Sequence, residues 1–398
     1  GDVYKRQELD HARDNYLLCI RAAAELGDSG MEMEALINIG YLYMAYGAPE
    51  RGLAFADSAL SAAGHEDNQV MLRSAHVLSA ELRTGMGDYD SALEHWLAAH
   101  RIDANSRAEG NMIADRLGMG NVRALKGECA RAREIYMEEL PRIRRAGLLS
   151  LEEPLWFGVA HTYEEESPDS ARFYYEKALA MMEKTGFQTS SAELGRGFQA
   201  CSRFYYEEVA RFYAGMAERT GDDRWSRHAF RTIERSKARG LLDMLQCSIE
   251  KRHTPAEEAV LDSIYSLDPA SPSYRADMEG LERRYRVLKD ERIGEARGKL
   301  SKTEGVAELH DIRKALPRKT AVFSYALGDS VSLLWVIDRD GHELHRLPGR
   351  RELDDESKLL VQAIGRPGAG DAACVARARR LYEILIAPGE KRLEGVTD

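Results

Sequence analysis

The sequence predicts a mainly α chain: a superhelix of stacked helical hairpins with a period near 40 residues, followed by the start of an α/β domain holding an antiparallel β-meander. Three observations predict it. The phrase Gly87-Asp88-Tyr89-Asp90-Ser91-Ala92-Leu93-Glu94, a tight turn and helix start, recurs in register along the chain. Small and aromatic residues repeat at fixed offsets around it. After Leu316-Pro317 the texture changes to β-rich runs separated by Gly-Asp and Asp-Gly pairs, a hairpin signal.

The register is set by a small residue opening each second helix. Ala12, Gly52, Ala92, Ala132 and Ala171 stand 40, 40, 40 and 39 residues apart. Four positions on come Tyr16, Ala56, Trp96, Tyr136 and Tyr175, and three further on Cys19, Ala59, Ala99, Glu139 and Ala178. First helices repeat as well: Leu36, Ile39, Gly40, Tyr43 and Gly47 are followed one period later by Ala80, Arg83 and Gly87, then by Met119, Gly120, Arg123 and Gly127. Antiparallel helices approach closely only where Gly or Ala removes bulk, and a large aromatic nearby fills the gap to the next hairpin.

These residues resemble the tetratricopeptide repeat, most closely from Leu36 to Ala59 and from Ala80 to Ala99. The resemblance covers residues 8–250. Its period exceeds the usual ~34 residues, which implies longer helices; HEAT-type repeats, at about 40–47, are the rival reading. Beyond Ala171 the next matching helix start is Ala229, 58 residues on, and a longer first helix over about 190–219 absorbs the difference. Residues 1–7, Gly-Asp-Val-Tyr-Lys-Arg-Gln, read as a cloning or sequencing artefact and are set aside.

Residues 251–315 form a spacer, predicted as a helical hairpin from apolar Met278, Leu281, Tyr285 and Leu288 at helical spacing. Its interleaved charges, such as Glu282, Arg283, Arg284 and Arg286, read as a solvated face. In residues 316–398 the runs 321–327, 330–337 and 342–347 predict a three-stranded meander, followed by helices near 352–364 and 371–387. With only two helices to cover it, the sheet is expected to leave a face or an edge bare.

Repeats ending in Glu234-Arg235-Ser236-Lys237-Ala238-Arg239-x-Leu241-Leu242-Asp243, a helical spacer, and Leu316-Pro-x-x-Thr320-Ala-Val-Phe-Ser-Tyr325 together resemble the CHAT family, whose caspase-like domain accompanies tetratricopeptide repeats. The meander and Leu381-Tyr382-x-x-Leu385-x-Ala387-Pro388 also look like the opening portion of that domain. The resemblance implies a cysteine peptidase of the caspase and separase type, with a His after one hydrophobic strand and a nucleophilic Cys after a later one. Both positions are expected beyond Asp398, so no residue here is assigned a catalytic role. The alternative is a non-catalytic scaffold or signalling protein with a degenerate domain.

Among residues that are present, Cys374 with His342 and His345 upstream is the nearest approach to a dyad, but only two alanines precede Cys374 where a buried strand is needed. Cys19 falls on a repeat core position, and Cys129, Cys201 and Cys247 read as packing residues. His95 and His100 are five apart, a poor helical spacing for metal ligands. Gly365-Arg366-Pro367-Gly368-Ala369-Gly370 lacks the Lys-Ser or Lys-Thr of a phosphate loop. One member each of Tyr174-Tyr175 and Tyr205-Tyr206 is expected in the core. No metal or cofactor is expected.

With 66 acidic and 56 basic side chains and a net charge of −10, the chain opposes the phosphate attraction that nucleic-acid binding relies on. No apolar run approaches the roughly 20 residues of a membrane helix. Five scattered cysteines favour a reducing compartment, and a cytoplasmic location is the expectation. The partner expected is a protein or peptide on the concave face built from first helices. Asn38, Arg83, Arg116 and Arg123 are the candidate contacts, with solvated surface the alternative role of each.

Overall fold

A computed structural model describes residues 2–186, 192–250, 254–267, 271, 273–300, 306, 308–364 and 371–393, with side chains outside 2–9, 184–186, 192–202, 239–250, 290, 293–300 and 371–373. The chain forms two compact units, Gly1–Thr185 and Gly186–Asp398, so the stretch 8–250 read as one array contributes to both.

The first unit is a stack of antiparallel hairpins: α1 (Asp2–Leu26), α2 (Ser29–Ala45), α3 (Pro49–His65), α4 (Gln69–Gly85), α5 (Tyr89–Ser106), α6 (Glu109–Leu125), α7 (Cys129–Ala146), α8 (Glu152–His161) and α9 (Pro168–Gly186). The period has a simple origin: α2 and α3 have 17 residues each, and three-residue turns follow each of them. Each turn from first to second helix places a glycine at positive φ, Gly47, Gly87 and Gly127. The return turns do the same at Gly27, Asp67, Arg107 and Gly147, again 40 apart, although two of these are not glycine.

Close approach between helices occurs where the small residues predict it. A Cβ on Gly40 would lie 2.4 Å from Leu78 Cδ2, and one on Gly52 would lie 2.8 Å from Leu82 Cδ2. The rings of later repeats use the same device. Gly118 receives the Trp96 indole, and Gly120 and Gly158 receive the Tyr136 ring, each closer than a Cβ would permit. Gly52, Ala92, Ala132 and Ala171 are buried, as are Trp96, Tyr136 and Tyr175. Tyr43 is half-buried and stacks on Phe55 with centroids 5.4 Å apart. Ala12 is half-buried, and Cys19, expected in the core, is exposed.

The second unit contains α10 (Ala192–Thr220), α11 (Asp223–Glu250), α12 (Pro255–Tyr265), α13 (Tyr274–Leu300), α14 (Leu309–Ala315), β1 (Val322–Ala326), β2 (Val331–Ile337), β3 (His342–Pro348), α15 (Arg350–Ile364) and α16 (Asp371–Leu385). On α13, Met278, Leu281, Tyr285 and Leu288 are half-buried while Glu282, Arg283, Arg284 and Arg286 are exposed. The strands form an antiparallel sheet in the order β1-β2-β3.

Both faces of this sheet are covered, which corrects the expectation of a bare face, while β1 and β3 each pair with β2 alone and form its edges. On one face Trp335 meets Phe230 of α11 edge-on at 5.4 Å. On the other, Leu334, Val336 and Leu347 pack with Phe323, Tyr325 and Leu385 of α16. The 3-10 turn Ala387–Leu393 lies tight against this second face, since a Cβ on Gly389 would be 2.5 Å from Val336 Cγ2. The repeat hairpin α10–α11 supplies the cover that the two later helices alone could not.

Candidate functional site

First helices α2 and α4 pack on one another, as do α6 and α8, so the stack has a wall made of first helices. The position after the small residue repeats along this wall as Tyr41, Glu81, Asn121 and His161, each 40 residues from the last. Burial pushes the Tyr41 phenol up, with the Glu81 charge adding to it. Burial also lifts the Glu81 carboxyl to about 6, against the pull of Arg73. The side-chain oxygen of Asn121 accepts a hydrogen bond from the Tyr136 hydroxyl at 2.6 Å, tying this row to the aromatic core.

The arginines singled out from sequence are engaged within the chain. Arg83 Nη1 lies 3.0 Å from Asp88, and the equivalent Arg123 Nη1 lies 2.5 Å from Glu128. These pairs tie the ends of α4 and α6 to the turns that follow them. Arg116 reaches Glu139 at 3.1 Å and also pairs with Glu138. Glu139, 2% exposed, is bound again by Arg142 at 2.9 Å. Asn38 is half-buried on α2. A ligand on Arg83, Arg116 or Arg123 would have to share or displace a carboxylate that is already there.

A charged cluster that the sequence reading missed lies at the other end of the first helices. Arg73 donates to Asp103 at 2.9 Å and to Asp115 at 3.0 Å, and Asn111 donates to Asp103 at 3.2 Å. Asp115 is fully buried and its Oδ2 has no hydrogen-bond partner. Burial, then the hydrogen bond shared with Asp103, lifts the Asp115 carboxyl to about 7 despite Arg73. The pair therefore holds a proton near neutrality. Its partners are 30 and 42 residues from Arg73, spacings that no short motif announces.

The histidines also regroup. His95 faces His76 across the α4–α5 hairpin, Nδ1 to Nδ1 at 3.0 Å, and burial lowers both. His100, whose spacing from His95 argued against a shared metal, has a buried Nδ1 without a partner. Among the described residues no group of three metal-ligating side chains forms. Tyr175 and Tyr206 are buried, with Tyr174 and Tyr205 half-buried; Tyr174 stacks on Trp156 and Tyr163.

In the second unit, the segments that carry the CHAT resemblance converge on one sheet. Lys237 of α11 lies 3.4 Å from Ser324 of β1, and the Tyr325 hydroxyl donates to the Leu385 carbonyl at 2.5 Å. His342 sits 2.9 Å from Asp223 and His345 sits 3.3 Å from Glu343, so each has a carboxylate neighbour in place of Cys374. The side chains of Cys201 and Cys247, and the loop 365–370, lie outside the described residues. Among the described residues no helix is long and apolar enough to cross a membrane.

The architecture defines a helical-repeat protein with a small antiparallel sheet near its C-terminal end. Among solved structures the chain is similar to RapI in its apo form, at 17% identity over 75% of this chain and 95% of that one, with a TM-score of 0.45. It is also similar to BtubC from P. vanneervenii, at 16% identity over 62% and 94%, with a TM-score of 0.43. No family model matches the chain, and no curated protein matches it.

Proposed function

We propose that this chain is a repeat scaffold that binds an extended peptide or a helix along its first-helix wall, joined to a CHAT-like segment. The periodic rung Tyr41, Glu81, Asn121 and His161 carries the binding half. A polar side chain at each 40-residue step offers regularly spaced partners to an elongated ligand, as repeat surfaces do. The half-buried Glu81 carboxyl, titrating near 6, favours a ligand that brings a donor or a positive charge.

Peptide-display selection on the full chain tests this reading. Selected peptides should bind the wild type and lose roughly tenfold or more in affinity when Glu81→Lys and Asn121→Ala are combined, provided circular dichroism shows the helices intact. Unchanged binding in that variant would remove the wall from the account.

The peptidase half rests on the CHAT resemblance, supported by the meeting of α11, β1 and α16 around one sheet. Reading any codons that follow Asp398 in the source transcript tests it. A strand there ending in His-Gly and a later one ending in Cys would support a caspase-like cysteine peptidase. The same strands without either residue leave a scaffold.

A further inference from the structure

A cleft of about 340 Å³ opens in the second unit between α10, α11, the β1–β2 turn and the start of α15. That volume is at the lower end of the ~300–1,000 Å³ found for small-ligand sites. Four cations line it: Arg203, Arg211, Lys237 and Arg350. Three have a carboxylate on their own helix. Arg203 pairs with Glu207 at 2.6 Å, Arg211 with Glu208, and Lys237 with Glu234 at 2.7 Å. For Arg350 the contacts are of another kind. Its Nη2 donates to the Leu327 carbonyl at 2.6 Å, and its Nε is buried with no acceptor.

The turn that positions Arg350 is closely packed. Its backbone N–H donates to the Gly328 carbonyl at 2.8 Å. A Cβ on Gly328 would come within 2.3 Å of the Val331 carbonyl oxygen, and one on Gly349 within 2.3 Å of the Asp329 carbonyl oxygen. Arg203 Nη2 converges on the same Leu327 carbonyl at 3.1 Å. Two guanidinium groups are thus anchored on one oxygen, with the positive end of α15 beside them. Ile233 and Leu333 supply apolar wall.

We propose that this cleft binds a monoanionic carboxylate with an apolar body, held by Arg350. One guanidinium without a carboxylate partner calls for one negative charge, and a carboxylate fits the guanidinium fork through two parallel hydrogen bonds. The ligand is either a small free carboxylic acid or the C-terminal residue of a peptide. This site is independent of the first-helix wall, and either can fail without the other.

Calorimetry on the full chain with benzoate, N-acetyl-Gly-Leu and N-acetyl-Gly-Leu-amide tests it. At least one free acid should bind, and the amide should not. Tighter binding of benzoate assigns a small-molecule acid; tighter binding of N-acetyl-Gly-Leu assigns a peptide C-terminus. Arg350→Gln should weaken the bound acid by roughly tenfold or more. Ser236→Trp, which keeps Arg350 and fills the cleft from its wall, should abolish binding. Absence of binding by either acid, equal binding of acid and amide, or unchanged affinity in a folded Arg350→Gln or Ser236→Trp protein would each overturn the proposal.

Discussion

Gly120 and Gly158 both approach the Cε1–Cζ edge of the Tyr136 ring, with hypothetical Cβ contacts of 2.7 and 2.5 Å, and this contact joins consecutive hairpins. Adding a methyl group at Gly120 forces the ring or the helix to shift, at about 1–3 kcal/mol. Helix propensity returns at most about 1 kcal/mol. Gly120→Ala should therefore destabilise the chain. Gly215, on α10 with nothing within 4 Å of its Cβ position, makes the contrasting case: Gly215→Ala should stabilise by roughly 0.5–1 kcal/mol. Denaturant unfolding of both variants separates packing from propensity, and equal effects would refute the packing argument.

The Asp103–Asp115 pair gives a second test at this scale. A carboxyl raised in the folded state favours folding while protonated. That contribution is complete below its unfolded value near 4 and is lost as pH climbs through about 7. The melting temperature of the wild type should fall between pH 5 and pH 8, at about 2–4 °C per kcal/mol for a unit of this size. Asp115→Asn, whose amide can still donate to Asp103, should flatten that slope. A slope unchanged in the variant would mean that Asp115 is ionised across the range.

Among the elements, the turns show what was and was not legible in the sequence. Gly47, Gly87 and Gly127 announced the turns from first to second helix. The equally periodic return turns stayed hidden because Asp67 and Arg107 occupy left-handed positions that glycine marks at 27 and 147. Caps follow the same pattern. Met31 N–H donates to Asp28 at 3.0 Å and Met71 N–H to Asn68 at 3.2 Å, but at the third equivalent position Ala108 makes no side-chain cap. Arg107→Gly with Ala108→Asp relieves a strained backbone and adds a cap, together roughly 1–2 kcal/mol. Thermal unfolding should move up by about 4 °C; no change would show that the α5–α6 turn opens before the rest of the unit unfolds.

Across the whole molecule, the periodic part of the fold was readable because close packing demands small residues at fixed intervals, and the meander because Gly328-Asp329 and Asp340-Gly341 mark its turns. What covers the sheet was not readable, since Phe230 and Trp335 are 105 residues apart and neither sits in a local motif. For the candidate site, the arginines that the sequence singled out on first helices are paired with Asp88, Glu128 and Glu139, partners that no local motif announces. The rung beginning at Tyr41 had the same 40-residue signal and could have been found by following it.

Binding along the first-helix wall is the central claim, and hydrogen exchange on the full chain with and without a selected peptide tests it most directly. The account predicts slowed exchange in Ser29–Ala45, Gln69–Gly85 and Glu109–Leu125, with little change in Pro49–His65, Tyr89–Ser106 and Cys129–Ala146. Protection confined to those second helices, or to residues 186–398, would contradict it.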